Sequence, residues 1–283
     1  MTRTEKSNLH RILHLLMILC AAGILVSAIV LLFNNREYAA GDAAYRQIRR
    51  QTQQSSAPTT GKPAVGKKQK EGASIDFLSL EKINPDVVAW LVAEGTALDY
   101  PVVQGKDNDF YLGNLFTGKP NKMGSIFMDY RNSGDFSDKN TIIYGHNMKN
   151  GSMFSTITKY KNQGYYNLHP TMLLHTPSGD FVVELFAGII VDGSYGAVQT
   201  NFKDDHDFQN YIDSLEKKSS FKSNTGVNAD DRIITLCTCS YEFKNARYAL
   251  FGKLTPIQKS LTQYPMAPSG DELLRSPPVP PRG

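Results

Sequence analysis

Three residues of this chain combine reactive side chains with surroundings that could put them to use: Cys239, Arg247 and His146. The run Ile233-Ile234-Thr235-Leu236-Cys237-Thr238-Cys239 reads as a strand that ends in a thiol. At such an end the sheet holds the backbone while the last side chain opens onto a cleft. Arg247 opens a second apolar run, RYALFGKL. If the two strands form a hairpin centred on Phe243, Ser240 faces Ala246 and Cys239 faces Arg247, with Cβ atoms about 5 Å apart on one face. A turn one residue longer or shorter would break that register. A guanidinium beside a thiol favours thiolate and can bind a developing oxyanion. Upstream, Ile142-Ile143-Tyr144-Gly145-His146-Asn147 carries an apolar strand into a glycine and then a histidine at a loop mouth. An imidazole there can titrate near neutral pH, donate a proton to a leaving amine and later accept one from an incoming amine.

Each residue also has a plainer reading. Cys239 could be a small buried hydrophobe and Arg247 a solvated edge-strand charge. The other histidines offer less: His10 and His14 flank or enter an apolar run, His206 starts a polar helix, and His169 and His175 have no thiol in their local pattern. No histidine pair has zinc-ligand spacing with a supporting third ligand, so neither a metal nor another cofactor is expected.

The elements that must hold these residues are mostly short β-rich runs: Leu98 to Val103, Ser125 to Asp129, Thr141 to Tyr144, Met172 to His175, Phe181 to Val191, Arg232 to Cys239 and Tyr248 to Leu254. Turn signals at Asn121, Gly134, Asn150-Gly151 and Ser178-Gly179 separate them. Asp76 to Ile83 reads as a short amphipathic helix. A second helix is expected where Asn84 can cap, Pro85 takes the first turn and VVAWL follows. Asp207 to Lys217 has helical spacing, with Phe208, Tyr211, Ile212 and Leu215 on one side. Many short strands with a few inserted helices predict a closed or nearly closed β-barrel decorated by helices.

The rest of the 283-residue chain frames this domain. Residues 1–11 form a short N-terminus, and residues 12–33 are almost wholly apolar, long enough at 1.5 Å per residue to cross a hydrocarbon core of about 30 Å. A cleaved signal peptide would have a shorter hydrophobic stretch of about 7–15 residues, so an uncleaved anchor is expected. Arg3, Lys6 and Arg11 precede the run while Arg36, Arg46, Arg49 and Arg50 follow it, so charge leaves its orientation open. Residues 34–73, rich in Gln, Ser, Thr, Ala, Gly and Lys, read as a flexible stalk. Residues 74–257 are the folded domain, and the Pro-rich tail 258–283 reads as disordered. Of three cysteines, Cys20 lies in the apolar run, leaving Cys237 and Cys239, which share a strand face too far apart for an unstrained bridge. A net charge of +4 without a basic stripe gives no support for nucleic-acid binding.

The run TLCTC fits the pattern T-L-x-T-C of the sortases, and with His146 upstream and Arg247 downstream the order resembles the sortase His, Cys, Arg triad. The resemblance spans nearly all of residues 74–257. It is closest to class B, through the leading helices, DYPVVQGKDNDFYL, YGHNM and the helix ahead of TLCTC. It implies a mainly β fold: a sortase-type closed barrel of about eight strands, with N-terminal helices and a helix inserted before the cysteine strand. It further implies a cysteine transpeptidase, hydrolysing as a side reaction, that recognises surface proteins through a C-terminal Pro-x-Thr motif. Cys239 would form the thioester, His146 would move protons, and Arg247 would hold the oxyanion or the motif backbone. The acceptor would be an amine of a peptidoglycan cross-bridge or its lipid-linked precursor. The domain would then lie outside the cell membrane on a single-pass anchor. By position, Asn108, Leu112, Cys237 and Thr238 would line the motif groove, with Tyr195 and Val198 on its far wall. Position 237 is Cys where many relatives carry Ser, and Ser240 stands where some class B members have Asp. The alternatives are a pilin-polymerising sortase with a lysine acceptor, whose lid segment is not evident here, and a non-catalytic membrane-tethered binding module.

Overall fold

A computed structural model describes residues 3–53, 75–193 and 198–257. Eight strands close a barrel in the order β1-β2-β3-β4-β7-β8-β6-β5. They are β1 Val87–Val92, β2 Asp99–Val103, β3 Ile126–Met128, β4 Asn140–Tyr144, β5 Thr171–Thr176, β6 Gly179–Asp192, β7 Ile233–Cys239 and β8 Ala246–Pro256. The helices are α1 Arg3–Gln53, α2 Phe77–Ile83, α3 Gln163–Leu168 and α4 Asp205–Lys218. The architecture is mainly β with N-terminal helices and α4 ahead of β7, as expected.

Strand β1 departs from the expectation of a second N-terminal helix. Val87, Val88 and Val92 are β-branched and Trp90 is aromatic, side chains that suit a pleated surface. Two neighbours complete the ladder: Leu91 pairs with Tyr100 on β2 and with Leu174 on β5. Asn84 starts no helix because its side chain is committed elsewhere. Its amide donates to Tyr111 Oη at 2.8 Å and to the Phe116 carbonyl at 2.7 Å, and its Oδ1 accepts from Asp86 N.

Alternation along β7 decides where the thiol points. Ile234 and Leu236 face the barrel interior, together with Tyr248 and Leu250 of β8. Ile233 faces outward into a second apolar cluster that α4 covers with Phe208, Ile212 and Leu215. The period of two therefore sends Cys237 and Cys239 to the outer face. Arg247 joins them there, because Ala249 and Phe251 of β8 belong to the same outer cluster.

The expectation of a stalk over 34–73 is corrected for its first half: α1 continues through Gln53 without a break. From Leu13 to Thr52 this helix is long and apolar enough to cross a bilayer, and none of its most apolar stretch is buried, a pattern compatible with an anchor or a signal sequence. Beyond the apolar run it packs on the barrel, with Tyr45, Ile48 and Thr52 buried. Residues 54–73 of the expected stalk and the tail 258–283 lie outside the described residues.

Candidate active site

The last pair of the β7–β8 ladder is Cys239 opposite Arg247, the register that a turn centred on Phe243 requires. Arg247 Nη1 lies 3.1 Å from Cys239 Sγ. The third residue arrives on β4, which runs parallel to β7 with Tyr144 opposite Cys237. Two residues further on both strands, His146 comes level with Cys239. Backbone and side-chain bonds lace these ends together. Gly145 N donates to the Cys237 carbonyl at 3.2 Å, Thr238 Oγ1 to the Gly145 carbonyl at 2.6 Å, and Asn147 Nδ2 to the Cys239 carbonyl at 2.9 Å. Gly145 is required here, since a Cβ would sit 2.8 Å from the Phe154 ring.

His146 Nε2 lies 2.8 Å from the Leu112 carbonyl oxygen. A carbonyl only accepts, so Nε2 carries the hydrogen and Nδ1 is left as the basic nitrogen. Sortase-like roles were also expected for six groove residues, and their placements differ. Leu112 presents its carbonyl to His146 while its side chain is exposed. Asn108 turns its amide inward, donating to Asp129 Oδ2 at 3.2 Å and accepting from Tyr130 N at 3.1 Å. Thr238 is buried, its hydroxyl spent on Gly145. Cys237 is buried as well, and burial pushes its thiol up to about 12, so it stays protonated at neutral pH. Val198 packs against the cluster under α4, and Tyr195 lies outside the described residues.

Two polar groups beside the site had no signal in the local sequence. The Asp129 carboxylate is fully buried behind β4. Arg131 grips it with Nε at 2.9 Å and Nη2 at 2.7 Å, and the Tyr144 hydroxyl donates at 3.0 Å. Burial alone would raise its pKa, but the bonds from Arg131 and Tyr144 outweigh that and hold it below the usual carboxylate range. This cluster fixes Tyr144, two residues before His146. The second group ties the β7–β8 turn: Lys161 Nζ donates to Ser240 Oγ at 2.7 Å and pairs with Glu242, whose carboxylate also accepts from Ser240. The Lys161 and Ser240 bonds hold Glu242 down to about 2. Lys161 and Ser240 are 79 residues apart, which hides the pairing from any local reading. Among the described residues no cluster of three or more His, Cys, Asp or Glu side chains is placed to hold a metal.

The arrangement offers a nucleophilic sulfur, a cation against it, and an imidazole with one nitrogen fixed and one available. That set suits acyl transfer through a thioester.

No family model matches the chain. Sortase B of Listeria monocytogenes is 42% identical over 181 residues, covering 63% of this chain and 74% of that protein. Sortase B of Staphylococcus aureus is 35% identical over 192 residues, covering 67% of this chain and 79% of the relative. Among solved structures, sortase B from Bacillus anthracis superposes with a TM-score of 0.67 at 30% identity, covering 78% of this chain and 99% of that one. A Staphylococcus aureus sortase B–substrate complex gives a TM-score of 0.62 at 35% identity, covering 64% of this chain and 85% of the other.

Proposed function

The chain belongs to the sortase family, class B, and on that premise we propose that it is a membrane-anchored cysteine transpeptidase joining surface proteins to a cell-wall amine. Cys239 Sγ attacks the threonine carbonyl of a Pro-x-Thr-type motif. A C–S bond forms, the peptide C–N bond breaks, and His146 delivers a proton to the departing amine. Arg247 carries negative charge first on sulfur and then on the tetrahedral oxygen. An incoming amine attacks the thioester, giving up a proton to His146, and sulfur leaves as thiolate with Arg247 beside it. With Nε2 engaged by Leu112, Nδ1 is the nitrogen that exchanges these protons. Water in place of the amine gives hydrolysis as a side reaction.

The observation that carries this reading is the 3.1 Å approach of Arg247 Nη1 to Cys239 Sγ at paired strand ends, with His146 level beside them. Support for a peptide amine as acceptor comes from Staphylococcus aureus sortase B, which has been solved both with substrate and with triglycine. The apolar length of α1 supports an anchor with the barrel outside the membrane. The acceptor we propose is a peptidoglycan cross-bridge or its lipid-linked precursor.

The test is to incubate the protein with a Pro-x-Thr peptide library, with and without amines, and to weigh the products. Cleavage at threonine and an amide product with a cross-bridge peptide are expected, and both are lost in Cys239→Ala. Transfer to a lysine side chain alone would indicate a pilin-type acceptor. Cleavage by Cys239→Ala at the wild-type rate would overturn the assignment, as would no cleavage of any peptide by the wild-type protein.

A further inference from the structure

The juxtamembrane half of α1 touches the barrel through residues at helical spacing: Glu37, Gly41, Tyr45, Ile48 and Thr52. Steps of three and four place them along one face. The first three hold the segment between residues 111 and 125, which also cradles His146. The Glu37 carbonyl accepts from Asn121 Nδ2 at 3.0 Å, and its carboxylate accepts from Lys122 N at 3.0 Å. Gly41 lets Met123 approach so closely that a Cβ would meet its sulfur at 2.4 Å.

Tyr45 reaches deepest. It is 1% exposed, and its ring meets Tyr100 edge-on at 5.1 Å. The ring accounts for packing, but phenylalanine would pack as well, so the hydroxyl needs its own explanation. It donates to the Gly124 carbonyl at 2.7 Å and accepts from Phe116 N at 3.3 Å. It also lies 3.2 Å from Ser125 Oγ, whose own hydrogen goes to the Asn114 carbonyl at 2.8 Å. One buried hydroxyl thus ties down three points of the 114–125 loop.

That loop sets where the Leu112 carbonyl sits. Ser125 N donates to the Tyr111 carbonyl at 2.9 Å, and Asn121 N to the Gly113 carbonyl at 2.9 Å, so the two halves of the segment are stitched on either side of Leu112. Gly124, at φ +56°, rests against it: a Cβ there would be 2.6 Å from the Leu112 oxygen and 3.1 Å from His146 Cδ2. The positive φ and the absent side chain both allow this contact. The Gly124 peptide, the Leu112 carbonyl and the His146 ring therefore form one packed stack, with the Tyr45 hydroxyl beneath it.

We infer that Tyr45 is a positioning residue: from the helix that continues the apolar run, its hydroxyl holds the Gly124–Leu112 cradle that keeps His146 in its Nε2–H tautomer. Losing the hydroxyl frees the Gly124 carbonyl and loosens the only described acceptor of the imidazole. His146 then samples both tautomers, and Nδ1 is available for proton exchange only part of the time. The same contact couples the catalytic imidazole to the seat of the anchor helix. This rests on the role proposed above for His146, and the test separates the two.

Full-length protein in detergent micelles carries the experiment. In wild type, ¹⁵N-histidine spectra, with the His146 signal identified by its loss in His146→Gln, show the Nε2–H tautomer. In Tyr45→Phe the signal moves toward a tautomer mixture, and kcat for peptide transfer falls about tenfold while KM for the sorting peptide stays within about twofold. Ile48→Ala thins the same helix contact without touching the hydroxyl. It lowers the melting temperature but keeps the tautomer and kcat of wild type. An Nδ1–H tautomer in wild type would overturn the inference without any variant. So would a Tyr45→Phe protein with unchanged tautomer and kcat, or equal kcat losses in Tyr45→Phe and Ile48→Ala. A fully active His146→Ala protein would instead sink the catalytic reading, leaving the spectra of Tyr45→Phe to judge the clamp alone.

Discussion

Replacing Arg247 by alanine tests the proposed chemistry at its narrowest point. The guanidinium approaches Cys239 Sγ at 3.1 Å and is partly open to solvent, so its attraction for a charge there is screened. With an effective dielectric of about 20, a full pair at that distance is worth at most about 5 kcal/mol. Removal of single oxyanion donors elsewhere sets a working range of about 2–4 kcal/mol. At about 1.4 kcal/mol per decade, Arg247→Ala should lower kcat/KM for peptide cleavage by roughly 30- to 900-fold. The loss should fall on kcat, because the interaction strengthens as charge develops. Alkylation of Cys239 by iodoacetamide divides the effect between two states. If Arg247 mainly stabilises thiolate, alkylation slows in parallel; if it mainly holds the oxyanion, alkylation is spared. Arg247→Lys keeps the charge but loses the planar fork, so an intermediate rate is expected. Arg247→Ala within threefold of wild type in both assays would refute the reasoning.

Cys237→Ser should keep cleavage within about threefold of wild type, because the buried thiol stays protonated; its stability should drop by about 1–2 kcal/mol for a hydroxyl placed in an apolar site. An inactive Cys237→Ser protein would move the nucleophile assignment. Asp129→Asn should destabilise by about 2–3 kcal/mol at pH 7 in denaturant titrations, less than a fully buried pair costs because Arg131 is half exposed and can be hydrated. The native pKa of Asp129 is depressed, so its contribution is present above the unfolded value of about 3.9 and is lost as pH falls through the lower native one. The wild-type advantage over Asp129→Asn should therefore shrink in acid, and an advantage that grew on acidification would contradict the assigned direction. Lys161→Met should release Ser240 and Glu242, raise the Glu242 pKa from about 2 toward its ordinary value, and increase amide exchange in the β7–β8 turn. Unchanged exchange at Ser240 to Asn245 would show that the turn needs no such tie.

Seven of the eight strands announce themselves in the sequence, because each is a short β-branched or aromatic run bounded by turn residues. The exception teaches most. Val87 to Val92 follows an Asn-Pro pair that is a good helix start in isolation, yet β2 and β5 offer ladders on both sides and α2 has already ended at Ile83. Tertiary pairing overrides the local start signal. The facing of Cys239 and Arg247 was legible for a related reason: a hairpin leaves one number to choose, the turn length, and alternation then places every side chain.

The residues that orient the site were much less visible. Asp129 and Tyr144, Lys161 and Ser240, and Tyr45 and Gly124 are pairs 15, 79 and 79 residues apart. No spacing rule links such residues, because the barrel's closure and not the local chain brings them together. Their shared trait is a polar atom satisfied only across the fold: a buried carboxylate, a cation spanning a turn, a buried hydroxyl. The juxtamembrane helix was misread for a different reason. Its contact face mixes Glu37, Gly41, Tyr45, Ile48 and Thr52, so an apolar count sees no stripe, and the Gln, Arg and Ala between them look like linker. Helical spacing was nevertheless present, and what hid it was that glycine and threonine pack by shape and not by hydrophobicity. A segment with linker composition but small residues recurring every three or four positions therefore merits reading as a docking helix, and in this chain that reading puts the anchor and the catalytic histidine in one mechanical unit.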